Sequence, residues 1–448
     1  MELKASYKHD ELSTYKMIAD HYPDIKLPLH TPAHQGIKGE SECFDDLIYS
    51  YDLHFFNREG FDHVEREISE LYQTNRTFFL TGGATQGILI ACAILARKHK
   101  RIAIGQNSHL SVIHGFILSG LEPFFMPSHS LMPTDAEIIQ ALETTAGEVT
   151  ALFLTHPSYD GITTDLNKIS QYCRHHNIEF IVDEAHGTHF PFLPAENLSA
   201  VATECDLVVH SLHKFVGSLV QTALIHLPKT STITEAEVLT AIALFETTSR
   251  SNLLLLSIEE AIRLAFGDER RSLFQKAADH CHQLRCFLDK WGTTLTYDPQ
   301  VSDPLKIFLY SDRATGHEIG ELIFEQGIDY EYSNDRGVLL IFSFQNIDHD
   351  LLYVQQVFEQ IYQIIAHKEQ IVVINENLSG RSPIIRCSPR EAFFSNNKKL
   401  VIQEAKGMVS CSCIKEIPPC IPILIPGEEI TDWHLEKIQL DTLVEVIN

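Results

Sequence analysis

The sequence predicts an α/β protein: a large domain with a mostly parallel sheet, a smaller α/β domain, and a C-terminal α+β domain. Short apolar segments of strand length alternate with helical segments over the first ~265 residues, and such alternation is typical of βαβ units. The strand segments are nearly continuous apolar runs, which indicates a sheet covered on both faces. A composition of 44% hydrophobic and 21% charged residues is that of a folded chain.

The predicted elements follow one another closely along the chain. An amphipathic helix over 63–73 precedes a short strand at 77–80, and the glycine-rich turn 81–87 leads into a second helix. Thr134 and Glu137 form a capping box that predicts the start of a later helix. Further strands are expected at 101–105, 122–127, 149–155, 178–183 and 206–210, with helices between most of them.

The pattern changes twice along the chain, which predicts four parts. A second, smaller alternation has strands at 305–310 and 338–344, and the sequence after residue 370 has proline-rich stretches. We therefore expect an N-terminal segment over 1–60, a large domain over 61–265, a small α/β domain over 266–370 and a C-terminal domain over 371–448.

Charge and composition narrow the classes of partner. The chain has 35 Lys and Arg against 60 Asp and Glu, a formal net charge of −25. This acidity argues against a nucleic-acid surface and would suit a cationic small substrate. We recognise no targeting segment, and the most apolar stretch, 78–96, is interrupted by TGGATQG, so no membrane span is expected. Ten scattered cysteines without a CxxC pair favour reduced thiols in a cytoplasmic protein.

Lys214 gives the strongest chemical signal, because it follows an apolar strand directly, beside Ser211 and His213. The carboxyl edge of a parallel sheet is where open α/β proteins bind ligands. Most lysines are solvated surface residues, but a lysine in such a crevice can lose its proton and form a Schiff base. We therefore interpret Lys214 as an attachment point for pyridoxal phosphate (PLP).

Three other features meet the further demands of PLP. Asp183, at the end of a strand, offers a carboxylate to the pyridinium nitrogen, although a strand-end Asp is common. The turn 81–87 offers backbone N–H groups to the phosphate, with Thr85 and Gln86 as side-chain donors, although any tight turn can be glycine-rich. His109 follows another strand and could stack on the ring, although a lone His is usually an ordinary polar residue. The four features follow successive strands, which favours a single site.

This ordered set resembles the bacterial Orn/Lys/Arg decarboxylases in their short form, which have the aminotransferase-like fold type I. The resemblance covers nearly the whole chain. It rests on the segments LHTPAHQGIKG (29–39), FFLTGGATQG (78–87), QNSHLSVIHG (106–115), PSYDGITTDL (157–166), VDEAHGTHF (182–190), SLHKFVGSLVQTALIH (211–226), FETTSRSNLLLLSIEEA (245–261), SPREAFF (388–394) and PPCIPILIPGEEIT (418–431).

The resemblance implies a role for each of these site residues. Lys214 would hold PLP, Asp183 would keep its ring nitrogen protonated, and His109 would stack on the ring. His186 would lie near the 3-hydroxyl of the ring, and His213 or Lys214 would return a proton to Cα. The implied phosphate contacts are Ala84, Thr85, Gln86, Ser211 and His213.

The resemblance also implies an activity. This is the decarboxylation of arginine, lysine or ornithine to the amine and CO2, in polyamine biosynthesis, by a cytoplasmic homodimer or higher even oligomer. Glu428 or Glu429 would bind the distal cation of the substrate, and no metal is expected. Arg250 departs from the family pattern and would add a cation near the substrate. The other departures are Ala33, Gln35, Leu110 and Asn252.

Three other interpretations stay open at this point. An aminotransferase or carbon–sulfur lyase would keep the cofactor and change the reaction, and an aminotransferase would use Arg386 or Arg390 for the substrate carboxylate. A catalytically silent homologue would explain the departures. A metal-dependent hydrolase would instead use the cluster Asp183, Glu184, His186 and His189.

Overall fold

The computed structural model describes most of the chain beyond residue 57. The described residues are 12–14, 58–127, 132–193, 198–345, 351–371, 381, 383–415 and 420–448. The predicted N-terminal segment 1–60, with Ala33 and Gln35, lies almost wholly outside these ranges.

The large sheet has seven strands, and its order is β1-β7-β6-β5-β4-β2-β3. Its strands are β1 (Arg76–Leu80), β2 (Arg101–Ile104), β3 (Glu122–Phe125), β4 (Ala151–Thr155), β5 (Glu179–Asp183), β6 (Leu207–Ser211) and β7 (Ala223–Leu227). β7 runs antiparallel to both of its neighbours, β1 and β6. The pairs of β2 with β3, β2 with β4, β4 with β5 and β5 with β6 are all parallel, so the predicted mostly parallel sheet is confirmed.

Helices cover both faces of this sheet. They are α1 (Asp62–Tyr72), α2 (Gly83–Leu95), α3 (Leu110–Ser119), α4 (Asp135–Thr144), α5 (Leu166–His175), α6 (Leu212–Phe215), α7 (Glu235–Phe245) and α8 (Asn252–Phe266). Because successive strand residues point to opposite sides, Phe153 packs in one core with α2, α3 and α7, whereas Leu152 and Leu154 pack in another core with α4 and α5.

The capping box predicted for α4 is present. The hydroxyl of Thr134 accepts from the Glu137 N–H at 3.2 Å, and the Glu137 carboxylate accepts from the Thr134 N–H at 2.8 Å. Two backbone donors that helix geometry leaves without a partner are thereby satisfied, which fixes where the helix begins.

Two smaller parts follow the large sheet. Helix α9 (Asp268–Leu288) leads into an antiparallel sheet of order β10-β11-β9-β8. This part contains β8 (Thr296–Tyr297), β9 (Lys306–Tyr310), α10 (Gly316–Glu325), β10 (Tyr332–Ser333), β11 (Val338–Ile341) and α11 (Leu351–Ile365). The last part contains α12 (Pro389–Phe393), β12 (Asn397–Val401), β13 (Ile414–Lys415), β14 (Pro422–Leu424), α13 (Asp432–Lys437) and β15 (Leu443–Ile447).

The three groups of strands lie within the ranges 61–265, 266–370 and 371–448, which we propose as domains. The predicted strand over 338–344 is shorter in the structure and ends at Ile341. Among the described residues, no helix is long and apolar enough to cross a bilayer.

Candidate active site

A cavity of about 430 Å³ lies at the carboxyl edge of the large sheet. The strands β4, β5 and β6 are parallel neighbours and end together at this edge. Their terminal residues Thr155, Asp183 and Ser211 therefore all reach the cavity wall. The structure brings together eight of the residues predicted for the site, namely Ala84, Thr85, His109, Asp183, His186, Ser211, His213 and Lys214.

Lys214 projects into this cavity from α6, the short helix that directly follows β6. Its Nζ lies 2.8 Å from Nε2 of His186. The side chain is open to the cavity, but partial removal of water from the amine by the cavity walls, assisted by the nearby cation Lys306, lowers the pKa of Lys214 to about 8. Asp183 and Glu331 act in the opposite direction. The result is a lysine with a substantial free-amine fraction near neutral pH, as a nucleophile requires.

Asp183 is the carboxylate at the floor of the cavity, where it ends β5 and is only 3% exposed. Its Oδ1 accepts from the Ala185 N–H at 3.1 Å. Burial raises the pKa of Asp183, and the attraction of Lys214 offsets part of that rise. A cationic hydrogen-bond donor bound in the cavity would stabilise the ionised form of this buried carboxylate.

His109 is held rigidly at the start of α3. It is the N-cap residue of this helix, and its Nδ1 accepts from the Ser111 N–H at 3.2 Å. Burial and the nearby Lys214 lower the pKa of His109 to about 4. The imidazole is therefore neutral at pH 7, which suits a ring that stacks on a flat partner.

The turn between β1 and α2 forms the far wall of the cavity. Gly83 has a φ of +72°, a conformation that favours glycine, and its N–H donates to the Gln221 carbonyl at 2.7 Å. Gly82, Gly83, Ala84 and Thr85 line the cavity at the beginning of the helix. Since the first N–H groups of a helix attract anions, this wall is suited to a phosphate.

Gln86 does not take the position that the sequence predicts for it. Its Oε1 accepts from the Gly82 N–H at 2.9 Å, and its Nε2 donates to the Phe245 carbonyl at 3.1 Å. Both polar groups of the side chain are therefore used within the protein. These bonds hold the shape of the turn, and Gln86 is not among the residues that line the cavity.

Several lining residues were not singled out from the sequence. Asn107, Thr155 and Tyr159 face the cavity, as do Cys420 and Ile421 from the C-terminal part. Asn107 and Tyr159 lie inside segments that carry the family resemblance, and Thr155 ends a predicted strand, so those signals were available. Cys420 and Ile421 also lie inside such a segment, 418–431, but its pattern drew attention to Glu428 and Glu429 instead.

The three candidate substrate residues lie outside the cavity wall. Glu428 is fully buried, and its two oxygens lie 2.9 Å from Arg381 and 3.2 Å from His434. Burial opposes the charge of Glu428, but these partners hold its pKa below the usual value. Glu429 forms an ion pair with Arg386 at 2.6 Å. Both carboxylates are therefore engaged within the C-terminal part of the chain.

Arg250, the departure from the family pattern, is buried outside the cavity wall. It is 3% exposed, and its guanidinium lies over the Phe61 ring at 5.3 Å. Its Nε lies 3.8 Å from the Glu246 carboxylate. The cation is therefore directed into the protein, which removes the expected repulsion of a cationic substrate.

Three of the four residues of the hydrolase alternative have separate partners. His186 contacts Lys214, Glu184 accepts from His210 at 2.7 Å, and His189 lies 2.8 Å from Asp303. In the part of the chain that the structure describes, no group of three or more His, Cys, Asp or Glu could hold a metal ion.

The low pKa of Lys214 leads to a testable pH dependence. In the protein freed of cofactor, reductive methylation of Lys214 should rise about tenfold per pH unit and level off near pH 8, because roughly a tenth of an amine with a pKa of about 8 is unprotonated at pH 7. Peptide mass spectrometry would compare it with a free model peptide that contains one lysine, whose amine has an ordinary pKa of about 10.4. Equal midpoints for Lys214 and the model peptide would contradict the perturbed pKa.

The fold and the site together define a class of enzyme. A mostly parallel seven-stranded sheet with a lysine and a buried carboxylate at its carboxyl edge is the arrangement of the fold type I PLP enzymes. A family model described as Orn/Lys/Arg decarboxylase, major domain, matches residues 52–322. The chain belongs to this family, whose members are PLP-dependent amino-acid decarboxylases, and it is an enzyme of the carboxy-lyase class.

Individual relatives agree with the family. The chain is 26% identical to arginine decarboxylase of Bacillus subtilis over 96% of this chain and 93% of the relative. Its fold matches that of lysine decarboxylase LdcF of Francisella novicida with a TM-score of 0.81 at 18% identity, over 97% of this chain and 81% of the other. Serine palmitoyltransferase of Sphingomonas wittichii matches with a TM-score of 0.56 at 18% identity, over 68% and 76% of the two chains. These likenesses confirm the predicted fold class.

Proposed function

We propose that this chain uses PLP to decarboxylate a basic amino acid, arginine, lysine or ornithine, to the corresponding amine and CO2. One observation carries the proposal. Lys214, with its lowered pKa, and Asp183, a buried carboxylate, line the same cavity, whose opposite wall is the start of a helix. These are the three groups that PLP requires of a protein: an amine for its aldehyde, a carboxylate for its ring nitrogen and backbone donors for its phosphate.

The polar lining of the cavity supports the fit of this cofactor. Three lining residues each have a buried polar atom that makes no hydrogen bond within the described structure, namely Asn107 Oδ1, Thr155 Oγ1 and His186 Nδ1. Such atoms are costly unless a bound group or water satisfies them. When bound, PLP would supply an electron sink for the pair left on Cα as CO2 departs.

The residues of the chain would hold and orient the reacting groups. Asp183, kept in a dry site, would stabilise a proton on the ring nitrogen by a charge-assisted hydrogen bond. His109, neutral and fixed by Ser111, would pack against one face of the ring. Lys214 or His213 would deliver the proton that replaces the carboxylate at Cα, since both line the cavity. Orientation of the Cα bonds would then decide the reaction.

The basic substrate is proposed from the family and from charge. The relative of Bacillus subtilis is an arginine decarboxylase, and the matching family model names ornithine, lysine and arginine. A net charge of −25 favours the approach of a cation. We also propose a cytoplasmic homodimer or higher even oligomer with a role in polyamine biosynthesis. The exposed apolar side chains Leu219 and Val220, beside the cavity, support a subunit contact there.

The aminotransferase alternative lacks its carboxylate-binding arginine in the described cavity wall. Arg386 pairs with Glu429, and Arg390 donates to the carbonyls of Ile117 and Leu118. The silent-homologue alternative is disfavoured, because Lys214, Asp183 and His109 are all retained in one cavity.

A product assay tests the proposed function. The purified holoenzyme would be incubated with lysine, arginine, ornithine and uncharged norleucine, and CO2, amine and oxo acid would be measured. We expect CO2 and amine in equal amounts from one of the basic amino acids, with kcat/KM roughly 10–100-fold above that of norleucine, since a charge-assisted contact is lost in the latter. Formation of an oxo acid without CO2 would identify an aminotransferase instead.

A further inference from the structure

Tyr159, in the wall of the cavity, makes a polar contact with Glu331, which lies just beyond that wall. Tyr159 lines the cavity and donates its hydroxyl hydrogen bond to the Glu331 carboxylate. Its ring lies 4.5 Å from that of His186, whose Nε2 is 2.8 Å from Nζ of Lys214. A short chain of side-chain contacts therefore leads from the reacting lysine to Glu331.

Backbone hydrogen bonds to other parts of the protein hold both Tyr159 and Glu331 in place. The Tyr159 carbonyl accepts from the fully buried Lys306 at 3.2 Å, and Lys306 pairs with Asp303 at 3.3 Å. The backbone N–H of Glu331 donates to the Leu339 carbonyl at 3.0 Å, next to the pairing of β10 with β11. The carboxylate thus comes from a sheet edge and not from a free loop, as a precise binding group requires.

Glu331 also has the charge and exposure that a cation requires. It is exposed to solvent, unlike Glu428, and it forms no ion pair with any cation of the described residues, unlike Glu429 with Arg386. Asp183 and Glu331 are the carboxylates with the largest attraction for the Lys214 amine. Asp183 lies at the floor of the cavity. Glu331 lies at the end of the chain of contacts that runs from Lys214 through His186 and Tyr159.

We propose that Glu331, oriented by the Tyr159 hydroxyl, binds the distal ammonium or guanidinium of the amino-acid substrate, in place of the Glu428 and Glu429 expected from the sequence. The inference rests on the proposed function, because it concerns the part of the substrate that distinguishes a basic amino acid from an uncharged one. Glu331 would be a specificity-determining residue, and Tyr159 a positioning residue that acts through it.

The test compares Glu331→Gln with a matched control. The control is Glu321→Gln, an exposed glutamate on α10 of the same part of the chain. For Glu331→Gln we expect KM for the preferred basic amino acid to rise about 10–100-fold, the usual loss for a hydrogen bond to a charged group, with kcat within about threefold. The Kd of the matching amine product, measured by calorimetry on the holoenzyme, should rise by the same factor. Norleucine kinetics and the control should be unchanged.

Tyr159→Phe should raise KM in the same direction but less, because the carboxylate remains and loses only its orientation. An unchanged KM and Kd in Glu331→Gln, with wild type active on a basic amino acid, would overturn the inference and leave the proposed function standing. Equal losses for the basic substrate and norleucine would also overturn it, since they would indicate a structural role. Preference of wild type for norleucine would overturn the proposed function, and the inference with it.

Discussion

Lys214→Ala is expected to eliminate both the covalent attachment of PLP and the activity. Without the amine on α6, no lysine among the described lining residues of the cavity could hold the cofactor covalently and transfer it to the substrate. We expect turnover below roughly one ten-thousandth of wild type, the scale of loss when a nucleophile is removed. Borohydride reduction followed by peptide mapping should find a pyridoxyl group on Lys214 in wild type and none in the variant.

Lys229→Ala serves as the control for Lys214→Ala. Lys229 is an exposed lysine just beyond the end of β7, so its loss changes the total charge equally and leaves the cavity intact. A pyridoxyl group trapped on another lysine of the Lys214→Ala protein, with activity retained, would refute the assignment.

Asp183→Asn is expected to preserve cofactor binding and to reduce turnover strongly. A neutral amide cannot stabilise a proton on the ring nitrogen, and the loss of such a contact at a developing charge costs about 2–4 kcal/mol or more, roughly thirty- to thousandfold or more in kcat. A cofactor analogue with carbon in place of the ring nitrogen should make wild type and variant equally slow. Near-normal turnover of the variant with natural PLP would mean that Asp183 is structural.

Stability provides the second measurement for Asp183→Asn. Burial raises the pKa of Asp183, so without cofactor the ionised carboxylate is held at a cost to the fold. The cofactor-free variant should therefore melt at the same temperature as wild type, or higher. A lower melting temperature together with lost activity would indicate that Asp183 supports the structure, and not that it acts on the cofactor.

The sequence predicted those features of the site that depend on the local sequence pattern. Apolar runs located the strands, and because parallel strands end at a common edge, Lys214 and Asp183 could be placed near each other. The neutral state of His109 could not be predicted, since it results from burial by residues distant in the chain.

Two predicted roles find no support in the structure, because the side chains have partners far away in the sequence. Gln86 bonds to the Phe245 carbonyl, Glu428 pairs with Arg381, and neither lines the cavity. The contact of Tyr159 with Glu331 joins two parts of the chain that no sequence pattern connects. Motifs therefore predicted which segments form the site, whereas tertiary packing decides which side chains within them remain available.

The antiparallel direction of β7 brings the turn between β1 and α2 into contact with the turn between α6 and β7. Because β7 starts at the edge where β6 ends, the chain returns from α6 without a crossover helix, and Ala223 of β7 pairs with Leu80 of β1. Gln221 then meets Gly83 through a backbone hydrogen bond. Opening either turn would break this hydrogen bond, so we expect a ligand bound to one turn to restrain the other as well.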